Sequence, residues 1–138
     1  MRNKVYEYYN DTYGARVYLI IGSRAFCKKW MRENLSLMNE LNDAIDNKAN
    51  AGITMEVHDQ DHVKVCDVIF MNEFKNDAKT LSTLFHEIFH VAVDILLPRN
   101  IPVDYQNNEP MAYLLSAISQ FFLEKTNILK YKTKGKRK

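Results

Sequence analysis

The chain has 138 residues, of which 46% are hydrophobic and 12% aromatic, and this composition favours one folded domain with its own core over a disordered segment. Its two cysteines, Cys27 and Cys66, exclude a disulfide framework and form no CxxC pair, so we expect buried thiols in a reducing compartment. The N-terminal sequence predicts no signal peptide, and no run approaches the roughly 18 apolar residues of a membrane span, so we expect a cytoplasmic protein that does not enter a membrane.

The formal net charge of +2 is unevenly distributed along the chain. Residues 130–138 carry six of the 19 basic residues and no acid, which leaves 13 basic and 17 acidic residues, a net charge of −4, for residues 1–129. We therefore predict a single folded domain over 1–129 and a basic tail over 130–138. Such tails are typically disordered and solvated, and we favour this reading over contact with nucleic acid.

The first predicted elements are a strand and a helix. Residues 15–22 are rich in β-branched and aromatic side chains and end at Gly22, which indicates a buried strand. Ser23 fits the N-cap of a helix over 24–35, which we expect to extend into 36–52. The inward face of this helix is expected to carry Phe26, Trp30 and Leu37.

Two strands and two helices follow in the predicted order. Alternation over 53–59 indicates a half-buried strand, with 62–74 as its hairpin partner. A long helix is predicted over 81–97, before Pro98, and a last helix over 109–125. The order of elements indicates an α+β fold, with a small, mostly antiparallel sheet packed on the helix of 81–97.

The helix over 81–97 carries an unusual polar stripe. His86, Glu87, His90 and Asp94 recur at steps of three and four within an otherwise apolar segment, so they share one face with Thr83. An ordinary solvated face would carry lysine or arginine, and none occurs over 80–98. His86 and His90 form the HExxH pattern, in which two imidazoles bind one Zn²⁺ and Glu87 takes a proton from the metal-bound water.

A catalytic zinc site usually has three protein ligands. No histidine follows His90, so the third ligand must be a carboxylate if it lies downstream. Glu109, at the start of the last predicted helix, is the preferred candidate because a rigid element holds a ligand better than a connection does. Asp104, in the connection, is the alternative.

At these residues the sequence resembles the gluzincins, the thermolysin-like zinc metallopeptidases, over about residues 81–120. The segments "HEIFHVAVD" and "NNEPMAY" are similar to the gluzincin HExxH and its downstream glutamate. The resemblance implies His86, His90 and Glu109 as ligands, Glu87 as the general base and Zn²⁺ as the cofactor. It also matches Asp94 to an acidic position of the family and implies a minimal zincin-like domain, similar to small phage-encoded proteins.

The sequence departs from the gluzincin pattern at Tyr113, where larger relatives have an aspartate that orients a ligating histidine. Those relatives also take a transition-state histidine or tyrosine from a further domain. Within this sequence Tyr113 is our first candidate for that catalytic role, followed by Tyr105, His58 and His62. "HDQDH" at 58–62 has the composition of a second metal site, but a solvated hairpin turn is the favoured reading.

These features predict a zinc-dependent metallopeptidase acting on a peptide or protein. The strand segment 67–74 is expected to lie at the sheet edge, where an extended peptide can pair with it. One alternative is a catalytically weak, zinc-stabilised binding module whose basic tail contacts nucleic acid or another polyanion. The other is a metal-free core protein in which HExxH occurs by chance.

Overall fold

The computed structural model describes residues 2–35, 41–104, 106 and 108–129. Within these residues the chain forms a four-stranded sheet and four α-helices, which confirms the α+β prediction. The strands are β1 (Lys4–Asn10), β2 (Ala15–Ile21), β3 (Gly52–His58) and β4 (Lys64–Met71), and the helices are α1 (Arg24–Leu35), α2 (Asn42–Asp46), α3 (Ala78–Leu96) and α4 (Glu109–Thr126). A short 3₁₀ turn, Leu97–Arg99, follows α3.

The sheet has the strand order β1-β2-β4-β3. The hairpins β1–β2 and β3–β4 are antiparallel, whereas β2 and β4 run parallel, so the sheet is mostly antiparallel as predicted. The expectation that residues 67–74 form an edge strand is wrong, because β4 lies between β2 and β3. Six of the eight β4 residues are buried, as is typical of a strand covered on both faces.

Helices cover both faces of the sheet. α3 and α4 pack on one face over a core that includes Ile69 and Met71 of β4. α1 and α2 pack on the other face, where Cys27 and Cys66 lie in a second core. Both thiols are free and buried, as predicted, and burial raises the pKa of each to about 12, so neither is a reactive nucleophile.

The N-terminal half differs from the predictions in three ways. β1 was not predicted; it is an edge strand with little apolar alternation, whose buried side chains are Tyr8 and Asn10. In α1 the buried residues are Cys27 and Met31, and the larger Phe26 and Trp30 are only partly buried beside them. Gly52 begins β3 and does not end a helix, since α2 has already ended at Asp46. Leu37 and the basic tail lie outside the described residues.

The length and mean hydropathy of residues 78–99 would also suit a membrane span. A helix in the core of a folded domain meets the same criterion, and α3 packs against both the sheet and α4. This property therefore carries no conclusion about where the protein resides.

Candidate metal centre

α3 is fixed at its start and along one face. The side chain of Asp77 accepts a hydrogen bond from the Thr80 backbone N–H at 2.8 Å, which caps the first turn. The apolar residues buried under the helix are Leu84, Ile88, Val91, Ala92, Ile95 and Leu96. With that face toward the core, His86 and His90 fall on the solvent side of the helix.

His86 and His90 converge on each other. Their Nε2 atoms lie 3.1 Å apart, and their rings meet edge-on with centroids separated by 4.8 Å. Two imidazole nitrogens bound to one tetrahedral zinc at about 2.0–2.1 Å would be separated by roughly 3.3 Å. A hydrogen bond between the two Nε2 atoms would require a proton on one of them and a free lone pair on the other. A shared metal ion would instead bind the lone pairs of both Nε2 atoms. The two imidazoles therefore fit two ligands of one zinc ion.

Glu87 points away from solvent, toward the edge strand β3. Its side chain is 6% exposed, and its Oε1 accepts a hydrogen bond from the Thr54 hydroxyl at 2.7 Å. The same hydroxyl lies 3.2 Å from the Glu87 carbonyl oxygen. Thr54 thus fixes the carboxylate next in sequence to His86, so the general base predicted from the sequence has a defined orientation.

Gly52 lets β3 approach α3 closely. A Cβ atom at this position would lie 2.8 Å from Cγ2 of Thr83 and 3.3 Å from Cγ of Glu87. Glycine therefore provides the space in which the first strand residue contacts two turns of the helix. We call the contact line that runs from Gly52 through Thr54 to Glu56 on β3, and from Thr83 through Glu87 to Asp94 on α3, the polar seam.

The described residues do not bring a third ligand to the imidazole pair. No other histidine, cysteine, aspartate or glutamate among them places a ligand atom within 4.8 Å of both Nε2 atoms. Glu109 is the exposed first residue of α4. Asp104 is also exposed, and its side chain accepts a hydrogen bond from the Gln106 backbone N–H at 3.0 Å. The structure thus joins His86 with His90 but not with either carboxylate candidate.

Tyr113 lies against the β1–β2 hairpin. Asn10 donates a hydrogen bond to the Tyr113 hydroxyl at 3.2 Å, and the Thr12 hydroxyl lies 3.4 Å away. These hydrogen bonds lower the pKa of the Tyr113 phenol. The observed contacts anchor α4 to the hairpin and do not orient a histidine. Tyr105, the next candidate, lies outside the described residues.

The two histidines of "HDQDH" lie in and beside an exposed turn. His58 ends β3, with its Nε2 3.9 Å from a Glu56 oxygen, and His62 has a left-handed backbone conformation with φ of 62°. The Asp59 side chain accepts hydrogen bonds from the backbone N–H groups of Asp61 and Val63 at 2.8 and 3.0 Å. These contacts agree with the solvated turn that the sequence favours.

A carboxylate cluster that the sequence analysis did not predict occupies the other end of the polar seam. Glu56 and Asp67 are direct partners across β3 and β4, and Asp94 of α3 brings a third carboxylate, with the three ligand oxygens within 4.8 Å of one another. Asp67 is 1% exposed, and its carboxylate lies 2.7 Å from Lys64 Nζ. The same ammonium lies 3.6 Å from Glu56 and donates to the Asp94 carbonyl oxygen at 3.1 Å.

This cluster favours bound protons. Burial raises the pKa of Asp67 to about 7, although the nearby Lys64 opposes the shift, and burial also raises the pKa of Asp94. Desolvation is the largest cause in both cases, and neighbouring carboxylates add to it, Asp94 for Asp67 and Glu56 for Asp94. One sequence signal was available, since Asp67 is the only charged residue within the buried run 66–71. Asp94, matched to a gluzincin acidic position, contacts this cluster and not the imidazoles.

The solvent face of α3 carries two large apolar side chains. Phe85 and Phe89 are 42% and 44% exposed, so the helix is not buried on all apolar sides. They line a groove of about 570 Å³ between α3 and α4, together with Ala112, Leu115, Ser116 and Ser119. The Phe89 ring lies 6.4 Å from the His90 ring, so the groove adjoins the imidazole pair.

Comparison of the chain with models of protein families, with curated proteins and with solved structures found no match. The gluzincin resemblance therefore stays a hypothesis carried by the residues of α3 and the start of α4.

Proposed function

We propose that the protein is a zinc-dependent peptidase in which His86 and His90 bind the metal and Glu87 is the general base. One observation carries the proposal: the two Nε2 atoms converge at 3.1 Å beside a buried glutamate whose carboxylate is held by Thr54. A coincidental HExxH on a solvated helix face gives no reason for this glutamate to be buried and hydrogen-bonded across to the sheet.

The proposed chemistry divides between the metal and the chain. Bound zinc supplies Lewis acidity, which polarises a peptide carbonyl and lowers the pKa of a water molecule toward about 7. The Glu87 carboxylate accepts the proton of the attacking water and returns it to the leaving amine nitrogen. Thr54 donates to Oε1 of Glu87, and this hydrogen bond keeps the carboxylate in one orientation through both transfers.

β3 is the strand that we propose as the docking edge for an extended peptide. It lies at the sheet edge and pairs only with β4 among the strands of the described ranges. Its residue Thr54 contacts Glu87, so a peptide paired along this edge would run beside the general base. This proposal replaces the docking strand expected from the sequence, residues 67–74.

The metal is tested by mass spectrometry of protein purified without chelators. We expect about one zinc per chain in the wild type and loss of zinc in His86→Ala, with His58→Ala as the matched control because His58 is an exposed histidine outside the pair. A screen against quenched fluorescent peptides then tests hydrolysis. Wild-type protein without metal, or equal zinc in His86→Ala, would refute the centre.

Glu109 stays our proposed third ligand, with Asp104 as the alternative. Since neither carboxylate is grouped with the imidazoles, zinc binding through Glu109 would have to draw the exposed first turn of α4 toward them. Zinc content separates the candidates: Glu109→Ala is expected to lower it, and Asp104→Ala to leave it unchanged. The reverse result would assign the ligand to the connection before α4.

A second candidate function is a zinc-stabilised binding module with little or no catalysis. Two observations favour it. Among the described residues no carboxylate joins the two imidazoles as a third ligand, and the Tyr113 hydroxyl is hydrogen-bonded to the β1–β2 hairpin. Zinc that raises the melting temperature, without hydrolysis of any peptide in the screen, would support the module over the peptidase.

A further inference from the structure

Two neighbouring pockets lie on a basic face of the molecule, away from the imidazole pair. The first, of about 370 Å³, extends from α1 to the start of α3, and the second, of about 410 Å³, lies between the N-terminal strand and the end of α4. They share Lys75, so they form one continuous surface, which we call the basic face. Its basic residues are Arg2, Lys4, Arg24, Lys48, Lys75 and Lys79.

The charges of the domain are strongly segregated toward this face. It holds six of the 13 basic residues of 1–129 but only two of the 17 acidic ones, Glu73 and Asp77, for a net of +4. The rest of 1–129 therefore has seven basic and 15 acidic residues, a net of −8. A weakly charged domain is thus strongly polarised, and such a field attracts an anionic partner to one side.

The cations of the basic face are mostly free of carboxylate partners. Among the described residues only Lys75 of the six forms an ion pair, with Glu73 at 3.9 Å. Elsewhere Arg16, Lys28 and Lys64 each pair with a carboxylate at 2.7 to 2.8 Å. The Asp77 carboxylate caps α3 and also attracts Lys75 and Lys79 electrostatically, so it offsets one of the six positive charges. Positive charge on this face is therefore left for an external anion.

One cation of the face is held in place by neutral partners. Arg24 is partly buried, and its Nε donates to the Ile45 carbonyl at 3.1 Å while its Nη1 donates to Asn72 Oδ1 at 3.0 Å. These bonds orient the guanidinium without neutralising it. A planar, oriented guanidinium is well suited to phosphate oxygens.

The second pocket adds aromatic surface to the basic face. Its walls include the partly buried rings of Tyr6 and Phe74 beside Arg2 and Lys4. Thr126, at the end of α4, also lines it. Basic groups that follow a backbone and rings that stack on bases are the combination that binds single-stranded nucleic acid.

We propose that the basic face binds single-stranded nucleic acid, with phosphates at its lysines and arginines and a base against Tyr6 or Phe74. A duplex offers phosphates but no free base faces, so single strands are favoured. DNA and RNA share the recognised chemistry, and the test below separates them. This inference does not rest on the peptidase activity, since no residue of the basic face belongs to the proposed zinc site.

The test is fluorescence anisotropy with labelled DNA and RNA oligonucleotides of about 12 nucleotides, measured from about 50 to 200 mM salt. Six phosphate contacts predict a slope of log K against log salt of about −4 for the wild type. The triple variant Lys4→Gln, Lys48→Gln, Lys79→Gln should flatten the slope by about 2 and therefore weaken binding by more than about 100-fold at the lowest salt.

The matched control removes three charges elsewhere, in Arg16→Gln, Lys29→Gln, Arg32→Gln, none of which lines either pocket. We expect it to bind like the wild type, and thermal unfolding of both triple variants verifies that they fold. Equal weakening in the two variants would overturn the proposal, because binding would then follow net charge and not the face. Absence of salt-dependent binding in the wild type would overturn it as well.

Base contact is tested with an abasic oligonucleotide and with Phe74→Leu. If one base stacks on the ring, the abasic strand should bind about fivefold or more weakly to the wild type. Phe74→Leu should weaken binding of the intact strand but not of the abasic strand. Tighter binding to duplex, to polyglutamate or to vesicles of anionic lipid than to single strands would overturn the assignment. A preference for RNA over DNA, or the reverse, identifies which strand the face recognises.

Discussion

The imidazole pair and the carboxylate cluster both lie along α3 where it borders β3, and they differ in how their polar groups are satisfied. His86 and His90 are exposed and have only each other as close polar partners among the contacts of the described residues. Asp67, by contrast, is fully buried and has a resident cation, Lys64, at 2.7 Å. Glu87 is next to His86 in the chain, lies in the middle of the polar seam and is held by Thr54.

The imidazole pair is open to an ion from solvent, whereas the charge of the carboxylate cluster is already partly compensated by Lys64. Neutral imidazoles need no counter-charge, and solvent access allows a hydrated metal ion to reach them. Three carboxylates around one ammonium are instead stabilised by bound protons, which competes with metal binding. We therefore propose that the metal binds at the imidazole pair and that the carboxylate cluster has a pH-sensitive role in stability.

The largest effect is expected for Glu87→Gln, beside the imidazole pair. The amide keeps the size of the side chain and can still contact Thr54, but it cannot accept a proton from water. Turnover should fall by about 10²–10⁴-fold while zinc content stays at the wild-type level. Peptide hydrolysis and metal analysis on the same preparation measure both, and activity close to wild type would exclude Glu87 as the base.

The next largest effect is expected for Lys64, the cation of the carboxylate cluster. Lys64→Met leaves Asp67 buried without its partner and should lower the free energy of unfolding by about 2–4 kcal/mol at pH 8. The loss should be smaller at pH 5, where Asp67 takes up a proton. Lys28→Met is the matched control, because it breaks the more exposed pair with Asp46, and its cost should be about 1 kcal/mol or less. Equal losses in urea unfolding would show that Asp67 is not the cause.

The pH dependence of stability follows from the raised pKa of Asp67. Between its ordinary value near 3.8 and about 7, the folded state retains a proton that the unfolded state has released. The free energy of unfolding should therefore fall as pH rises through this window, by up to about 1.4 kcal/mol per unit. Asp67→Asn should flatten the curve there.

Asp77 is a control for this titration, because its pKa is lowered whereas that of Asp67 is raised. Hydrogen bonds from Thr80 lower its pKa, so its contribution is present above its unfolded pKa and is lost only as pH falls in acid. Asp77→Asn should thus leave the window from pH 4 to 7 unchanged. A curve that Asp67→Asn does not alter in that window would refute the assignment of the titration to Asp67.

The close contact at the Gly52–Thr83 end of the polar seam is tested with Gly52→Ala. The added Cβ meets Thr83 Cγ2 at 2.8 Å, so Thr83 must turn or the strand must move, at a cost of about 1–2 kcal/mol. Thr83→Ser removes that methyl group, and the double variant should recover most of the loss. Failure of the double variant to recover would show that the contact with Glu87 dominates.

The smallest expected effect concerns the hydrogen bond that positions Glu87. Thr54→Val keeps the shape of the side chain but removes the donor, and we expect kcat to fall about tenfold with zinc content unchanged. Thr54→Ser, which restores a hydroxyl, should recover most of the rate.

Sequence patterns predicted the elements with strong periodicity or clear ends. The alternating strand β3 and its hairpin partner, the long helix α3 and the apolar stripe of α4 were all predicted within a few residues of their observed bounds. β1 was missed because only Tyr8 and Asn10 are buried along it, so its pattern of apolar residues is weak. β4 was assigned to the edge because a continuous apolar run does not reveal which strands flank it.

The sequence alone determined that His86 and His90 share a helix face and that Glu87 is next to the first of them, because helical geometry fixes neighbours at three and four residues. Only the tertiary structure decided that Glu87 is buried against Thr54, that Asp94 meets Asp67 and Glu56, and that six cations gather on one face. These contacts join residues far apart in the chain, and they depend on strand order and helix docking, which local patterns do not encode.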